Sequence, residues 1–358
     1  FHKSGAKFAG PVAEHHDGFA MWDSKVTPWN AMDMGPKRDI TGEIAAAVRK
    51  RGMKFFASFH HARNNLWQIE KNGKKSWTGH YQYAKTSFPA VLDDPKRAIL
   101  YGYMPRKQFL EMWLGKLKEV IDNYQPDIMW FDSWLHEIPD AVKMEYLAYY
   151  INESRKRGQD VVITYKQEDL PQTVGVLDLE KGRMNQLTDF TWLTDDTISK
   201  GSWCYTKDLQ IKSTPQVLHV LIDIVSKNGQ LVLNISPKAD GTIPDAQKKV
   251  LLGIGKWLDT CGEAIYGTRP FAIFGEGPTR LKKGGGFTHK HGGYLAYTGE
   301  DIRFTTKGDV IYAILLGWPG EKAVIKALAA TDGVAIAKNA TVRMLGVDKD
   351  LAWSQDKD

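Results

Sequence analysis

Ile128-Met129-Trp130-Phe131-Asp132, within DIMWFDS (127–133), is a short apolar run that ends on an acid. A run of this length, following a proline and leading straight into polar residues, reads as a buried strand rather than a helix. Comparable runs recur at 8–15 (FAGPVAEH), 54–60 (KFFASFH), 160–165 (DVVITY), 174–180 (VGVLDLE) and 230–236 (QLVLNIS). Between several of them lie amphipathic stretches that suit helices, at 41–51, 107–123, 141–157, 214–227 and 245–260. Gly52 and Gly229 read as helix stops, and Thr214-Pro215 and Pro244-Asp245 as helix starts. Strands alternating with helices predict parallel βαβ units and a (β/α)8-like barrel.

Residues 61–100 and 181–212 are polar and aromatic without clear periodicity, and read as long loops over the active face of such a barrel. From 268 the texture becomes short β-prone runs separated by glycine and charge: RPFAIFGEG (269–277), GGYLAYT (292–298), DIRFTTKGDVIYAILLGW (301–318) and KAVIKALAA (322–330). A boundary near Gly267 is therefore expected, with a catalytic barrel over 1–267 and a small antiparallel β-sandwich domain over 268–358. Lys282-Lys283-Gly284-Gly285-Gly286 reads as a flexible loop.

At 358 residues, 42% hydrophobic and 25% charged, the chain is neither disordered nor fibrous. Its formal charge of +6 favours anionic partners such as acidic or sulfated polysaccharide, and because the excess is spread along the sequence no nucleic-acid patch is expected. Cys204 and Cys261 have neither disulfide-framework nor metal-ligand spacing. No apolar run approaches the roughly 18 residues that span a bilayer, so no membrane partner is expected, and no signal-peptide pattern opens the chain. Twelve tryptophans exceed ordinary use. Indole stacks on the C–H faces of sugar rings, so carbohydrate is the expected ligand.

Several strand candidates end in polar clusters, and in a β/α barrel those ends converge. The clusters are Glu14-His15-His16-Asp17, Phe59-His60-His61, Trp130-Phe131-Asp132, Tyr165-Lys166 and Asp178-Leu179-Glu180. Carboxylates, imidazoles and aromatics at one mouth are what glycosidic cleavage requires: one acid to attack, one to move a proton, and groups to hold hydroxyls. Asp132 is the first candidate nucleophile and Glu180 the candidate proton donor, with Asp178 and Glu168 as rivals. His15 and His16 are expected to bind hydroxyls rather than a metal, because neighbours on a strand point to opposite faces. His60 has a weaker expectation of the same kind. No G-x-S-x-G elbow, Walker loop or dinucleotide fingerprint sits at a strand-to-helix turn, so no cofactor is expected.

EHHDGFAMWDSKVTPWNAMDMGPKRD (14–39), PDIMWFDSW (126–134), SWCY (202–205), LVLNISPKADGTIP (231–244) and YGTRPFAIFGEGPT (266–279) resemble, in the family's order, family 29 of the glycoside hydrolases, the α-L-fucosidases. The resemblance implies a retaining double displacement releasing terminal α-L-fucose from oligo- or polysaccharide, with Asp132 as nucleophile. Trp130 falls on an aromatic neighbour of the sugar, His15-His16 on a hydroxyl-binding pair, and His60 and Lys166 on further sugar-side positions. One branch carries its acid/base directly after the tryptophan of a segment like TWLTDDTISKGSWCY, where this chain has Leu193; the other has a motif like DLEKG (178–182), which implies Glu180. The resemblance also implies export to the periplasm or outside the cell. Members normally open with a strand bearing a His-Trp pair, and no such segment precedes Phe1, so a barrel short of one strand is expected. The readings that compete are a galactosidase of the same barrel type and a carbohydrate-binding barrel without catalysis.

Overall fold

The computed structural model describes residues 1–66, 68–80, 89–132, 134–288, 295–329, 336–337 and 339–356. Contacts divide it into two compact units: Ala6–Leu177 with His2, and Asp178–Asp358 with Phe1 and Lys3–Gly5.

The first unit carries the parallel strands β1 (Phe8–Ala9), β2 (Val12–Glu14), β3 (Lys54–Phe59), β6 (Ile128–Phe131) and β7 (Val162–Lys166). β1 and β2 both pair with β3, which pairs with β6, and β6 with β7, all parallel. The expected single strand over 8–15 is two short ones, because Gly10 and Pro11 interrupt it. A β-carbon at Gly10 would lie 1.7 Å from the Phe56 carbonyl oxygen, so only glycine lets the chain pass that close. Helix α1 (Ile40–Arg49) joins β2 to β3; its N-cap Asp39 accepts from the Gly42 amide at 2.9 Å. Gly52, at φ 68°, takes the left-handed turn expected beyond it.

The stretch expected as a bare loop at 61–100 carries a hairpin, β4 (Gln68–Lys71) with β5 (Lys74–Trp77), and the short helices α2 (Pro89–Leu92) and α3 (Pro95–Leu100). Their runs are too short to leave a periodic signal; Trp67 and residues 81–88 of that stretch lie outside the described residues. Helix α4 (Arg106–Tyr124) packs Phe109, Trp113, Leu117, Val120 and Ile121 into the core, and α5 (Asp140–Lys156) adds Tyr146, Leu147 and Tyr150. They bury Phe55, Ala57, Phe59, Met129 and Phe131 of the sheet. Asp127 sets the entry to β6: its carboxylate accepts from the Phe55 amide at 2.8 Å and from Lys54 at 3.0 Å.

The second unit begins at the end of β8 (Val176–Asp178) and holds β9 (Trp192–Thr197) and β10 (Gly229–Asn234), paired in parallel from Gly229 opposite Trp192 to Asn234 opposite Thr197. β9 corrects the expectation of a loop over 181–212. Trp192-Leu193-Thr194-Asp195-Asp196-Thr197 is buried throughout, yet its polar residues hide the apolar pattern. Their partners lie outside the strand: Asp196 pairs with Lys212 at 2.7 Å, and the Thr194 hydroxyl donates to the Gly182 carbonyl at 2.8 Å.

Helix α6 (Thr214–Ser226) opens with a capping box between Ser213 and Gln216. Gly229 is not its stop. Asn228 takes the left-handed position at φ 70°, and Gly229 opens β10, where a β-carbon would lie 2.6 Å from Trp192 Cζ2. Helix α7 (Asp245–Cys261) leads to a separate antiparallel sheet of β11 (Arg269–Glu276), β12 (Ile302–Lys307) and β13 (Val310–Leu315). Among the described residues 322–329 form no strand but a 3-10 turn at Lys326–Leu328, and 295–298 are irregular. Residues 292–294 and 330 of the two expected β-runs lie outside the described residues.

Asp223, on α6, accepts from Arg183 at 2.9 Å, Lys227 at 2.8 Å and Arg303 of β12 at 2.6 Å, all four side chains being buried. Burial pushes Lys227 down to about 8 against the pull of Asp223. The parallel strands with their intervening helices make the fold an incomplete (β/α)8-like barrel, followed by the small antiparallel sheet. No helix among the described residues is long and apolar enough to cross a membrane.

Candidate active site

Three strand ends in the first unit build the site. β2 ends at Glu14 and releases His15 and His16; β3 ends at Phe59 and releases His60; β6 ends at Phe131 and releases Asp132. Backbone bonds lock these ends together, from the His60 amide to the Glu14 carbonyl at 2.9 Å and from the Asp132 amide to the Phe59 carbonyl at 3.0 Å. β7 contributes its last residue, Lys166.

Asp132 is held between two nitrogen groups. His16 Nε2 lies 3.5 Å from Oδ2, and Lys166 Nζ 3.2 Å from Oδ1. Burial alone would raise the Asp132 pKa, but His16, Lys166 and His60 overrule it and hold the carboxyl well below the ordinary range. His16 is oriented from its other side, where Nδ1 lies 2.9 Å from the His60 carbonyl and so donates to it. Lys166 sits 5.0 Å from the Trp130 ring centre, and Trp130 faces the His60 ring at 5.4 Å. The expected residues His15, His16, His60, Trp130, Asp132 and Lys166 are thus brought together.

His15, His60 and His80 form a neutral wall. Burial is the main cause lowering His60 well below its usual value, and it lowers His15 as well. His80 stacks on His16 with ring centres 4.2 Å apart and is pushed down to about 4, mainly by burial. Neutral imidazole both donates and accepts, which suits hydroxyl recognition. His15 and His16 lie beyond the end of β2, so the alternation of a strand does not separate them. One ring nitrogen from each of His15, His16 and His60 lies within 4.8 Å of the others, a group able to hold a metal ion. His16, however, already commits Nδ1 to a carbonyl and turns Nε2 toward Asp132.

Glu14 does not join the mouth. It is fully buried and takes Lys116 of α4 at 2.6 Å, while Lys116 also donates to the Gly18 carbonyl at 3.3 Å. The pair clamps both ends of the segment that carries His15 and His16.

Glu180 belongs to the second unit, in the turn after β8 and not on the strand expected over 174–180. It is half-buried. Its rivals are placed differently: Asp178 is buried and accepts from the Asp195 amide at 3.0 Å, and Glu168 is exposed in the turn after β7. Leu193, within β9, is buried.

Sequence reasoning missed His80, Arg63 and Trp134 at the rim of the first unit's site. Arg63 and His80 come from the aperiodic 61–100 stretch, where only its reading as an active-face loop pointed to them.

An ionised carboxylate among imidazoles, an ammonium and an indole, at the C-terminal ends of parallel strands, is the equipment of a glycoside hydrolase built on a β/α barrel. The chain belongs to the α-L-fucosidase family, whose sequence profile matches residues 1–263, with the α-L-fucosidase C-terminal domain matching residues 297–358. It is 30% identical over 369 residues to the tissue α-L-fucosidase of Rattus norvegicus, covering 99% of this chain and 68% of that protein. The tissue α-L-fucosidase of Homo sapiens is also 30% identical, over 370 residues, covering 100% and 67%. The crystal structure of Thermotoga maritima α-fucosidase in complex with fucose superposes with a TM-score of 0.57 at 26% identity, covering 87% of this chain and 62% of that one. The same enzyme with a mechanism-based inhibitor gives 0.62 at 27%, covering 88% and 63%. The chain therefore spans less than two thirds of those solved chains.

Proposed function

We propose that this protein is a retaining exo-α-L-fucosidase that removes terminal α-L-fucosyl residues from fucosylated oligo- or polysaccharides. The observation that carries the reading is Asp132, ionised and aimed between His16 and Lys166. Asp132 attacks the anomeric carbon and forms a fucosyl ester, while Glu180, protonated, donates to the leaving oxygen. Glu180 then takes a proton from the water that hydrolyses the ester, so fucose leaves with its α configuration. His15, His16 and His60 hold hydroxyls of the fucosyl group, Trp130 walls it, and Lys166 keeps the nucleophile charged. The T. maritima enzyme to which the chain is similar was solved with fucose, which supports the sugar assignment. The catalytic domain, in this reading, ends near Gly267, and the protein works in the periplasm or outside the cell, where such polysaccharide is met.

Glu180→Ala tests the proton donor. The loss of kcat/KM should be about 10²- to 10⁴-fold on a fucosyl disaccharide, whose leaving group needs a proton. It should be far smaller on 2,4-dinitrophenyl fucoside, whose leaving group does not. Equal losses on both substrates remove Glu180 from the role.

Lys166→Met should lower kcat/KM roughly 10- to 100-fold, with the deficit widening toward acid pH. The sign follows from the charge removed. Without the ammonium the folded-state pKa of Asp132 rises, so at a given acid pH more of the nucleophile is protonated and inactive. A pH–rate profile whose acid limb does not move up refutes this role.

A further inference from the structure

Arg63 and Trp134 stand immediately beyond two of the site's strand ends, three residues after His60 and two after Asp132. The Arg63 guanidinium lies over the Trp134 ring, 4.0 Å from its centre. Its Nε is buried without a hydrogen-bond partner, and among the described residues no carboxylate forms an ion pair with it. Burial lowers the Arg63 pKa while the charge of Asp132 pulls it back, which places the guanidinium in the field of the nucleophile. Arg106 lines the same cleft with Ala62, Asn65, Gly79 and Glu137. Arg106 is anchored, with Nη1 on Asn65 Oδ1 at 2.8 Å and Nη2 on the Glu137 carbonyl.

The platform is rigid. Trp134 holds a left-handed φ of 87°, a conformation that costs about 1–2 kcal/mol for a residue with a β-carbon. The turn after it is pinned by the buried Asp169, which accepts from the Leu135 amide at 3.0 Å and the His136 amide at 3.3 Å. Glu137 is the acid in the cleft, against two guanidiniums, and its Oε1 turns toward His136 at 3.9 Å. The cleft is thus net positive, with one stacked fork unpaired. A planar guanidinium backed by an indole is suited to bidentate recognition of a carboxylate or sulfate.

We infer that Arg63, Arg106 and Trp134 form the subsite for the sugar that carries the fucosyl group, and that this sugar bears an anionic substituent, a sulfate ester or a uronic carboxylate. The inference rests on the fucosidase reading above. Arg63 pairs with the anion, Arg106 adds a second donor face, and Trp134 holds Arg63 in place.

The test compares phenyl, 4-sulfophenyl and 4-carboxyphenyl α-L-fucosides on the wild type, Arg63→Met and Trp134→Gly. Because each aglycone leaves with its own ease, the quantity read is the ratio of kcat/KM on the charged to that on the neutral fucoside, compared across proteins. Arg63→Met should lower that ratio about tenfold, and 0.5 M NaCl should lower it more in the wild type than in Arg63→Met. Trp134→Gly, which the left-handed backbone accommodates, should lower it in the same direction through loss of the platform. A sulfonate effect without a carboxylate effect assigns sulfated sugar, and the converse assigns uronate. If the ratios are equal in all three proteins while the neutral fucoside is cleaved, the subsite is wrong and the fucosidase reading stands. If the wild type cleaves none of the three, the fucosidase reading falls and takes the subsite with it.

Discussion

Asp132→Gly is expected to lower kcat/KM on an aryl α-L-fucoside by about 10⁴-fold or more, and added azide is expected to restore turnover. The size follows from what is lost: among the described residues Asp132 is the carboxylate paired with both His16 and Lys166, so the covalent route closes. The cavity left by the side chain admits a small anion, which the same two nitrogen groups attract. Azide then attacks the anomeric carbon once, and the product is a fucosyl azide of inverted configuration. Retention of activity within about tenfold of wild type would falsify the assignment, and azide rescue with retained configuration would point to a different nucleophile.

The largest stability effect is expected from Asp223→Asn, a loss of about 3–5 kcal/mol, read as a fall in apparent Tm of roughly 10 °C. Asp223 faces Arg183, Lys227 and Arg303, each nearly excluded from solvent. An amide neutralises none of them, so three cations are left buried together. The pH dependence gives a second readout. Asp223 itself is held below the carboxylate range by Arg183, Lys227 and Arg303 against its burial. In the wild type its contribution is therefore present above its unfolded pKa near ~3.9 and disappears as pH falls toward the folded value. In the variant Lys227, already near 8 when paired, sheds its proton more readily, whereas the arginines cannot. The gap in Tm between the two proteins should accordingly narrow as pH rises from about 7 to 9. A gap of less than about 2 °C at pH 7 means the network is not a support of the fold.

Legibility in the sequence followed how strongly each segment's burial matched a simple pattern. β6 reads at once, because Ile128, Met129, Trp130 and Phe131 form an uninterrupted apolar run before Asp132. β9 does not, because Thr194, Asp195, Asp196 and Thr197 are buried polar residues whose partners, Lys212 and Gly182 among them, are distant or belong to a turn. Gly229 misleads for a related reason. Its lack of a side chain serves close packing against Trp192, while Asn228 takes the turn that glycine usually takes.

The sequence by itself determined the strand-and-helix alternation, the antiparallel texture beyond 268, and the acid at the end of β6, all local properties of residue order. It also determined the family, through motifs kept in register. Only the tertiary structure decided which polar groups meet. It sent Glu14 inward to Lys116 and aimed His16 and Lys166 at Asp132. It buried Asp178 on a backbone amide, and it laid the Arg63 guanidinium on Trp134. The physical reason is range: burial of apolar surface is written in the spacing of neighbours, but the pairing of charges depends on which strand ends the folded sheet brings within a few ångströms.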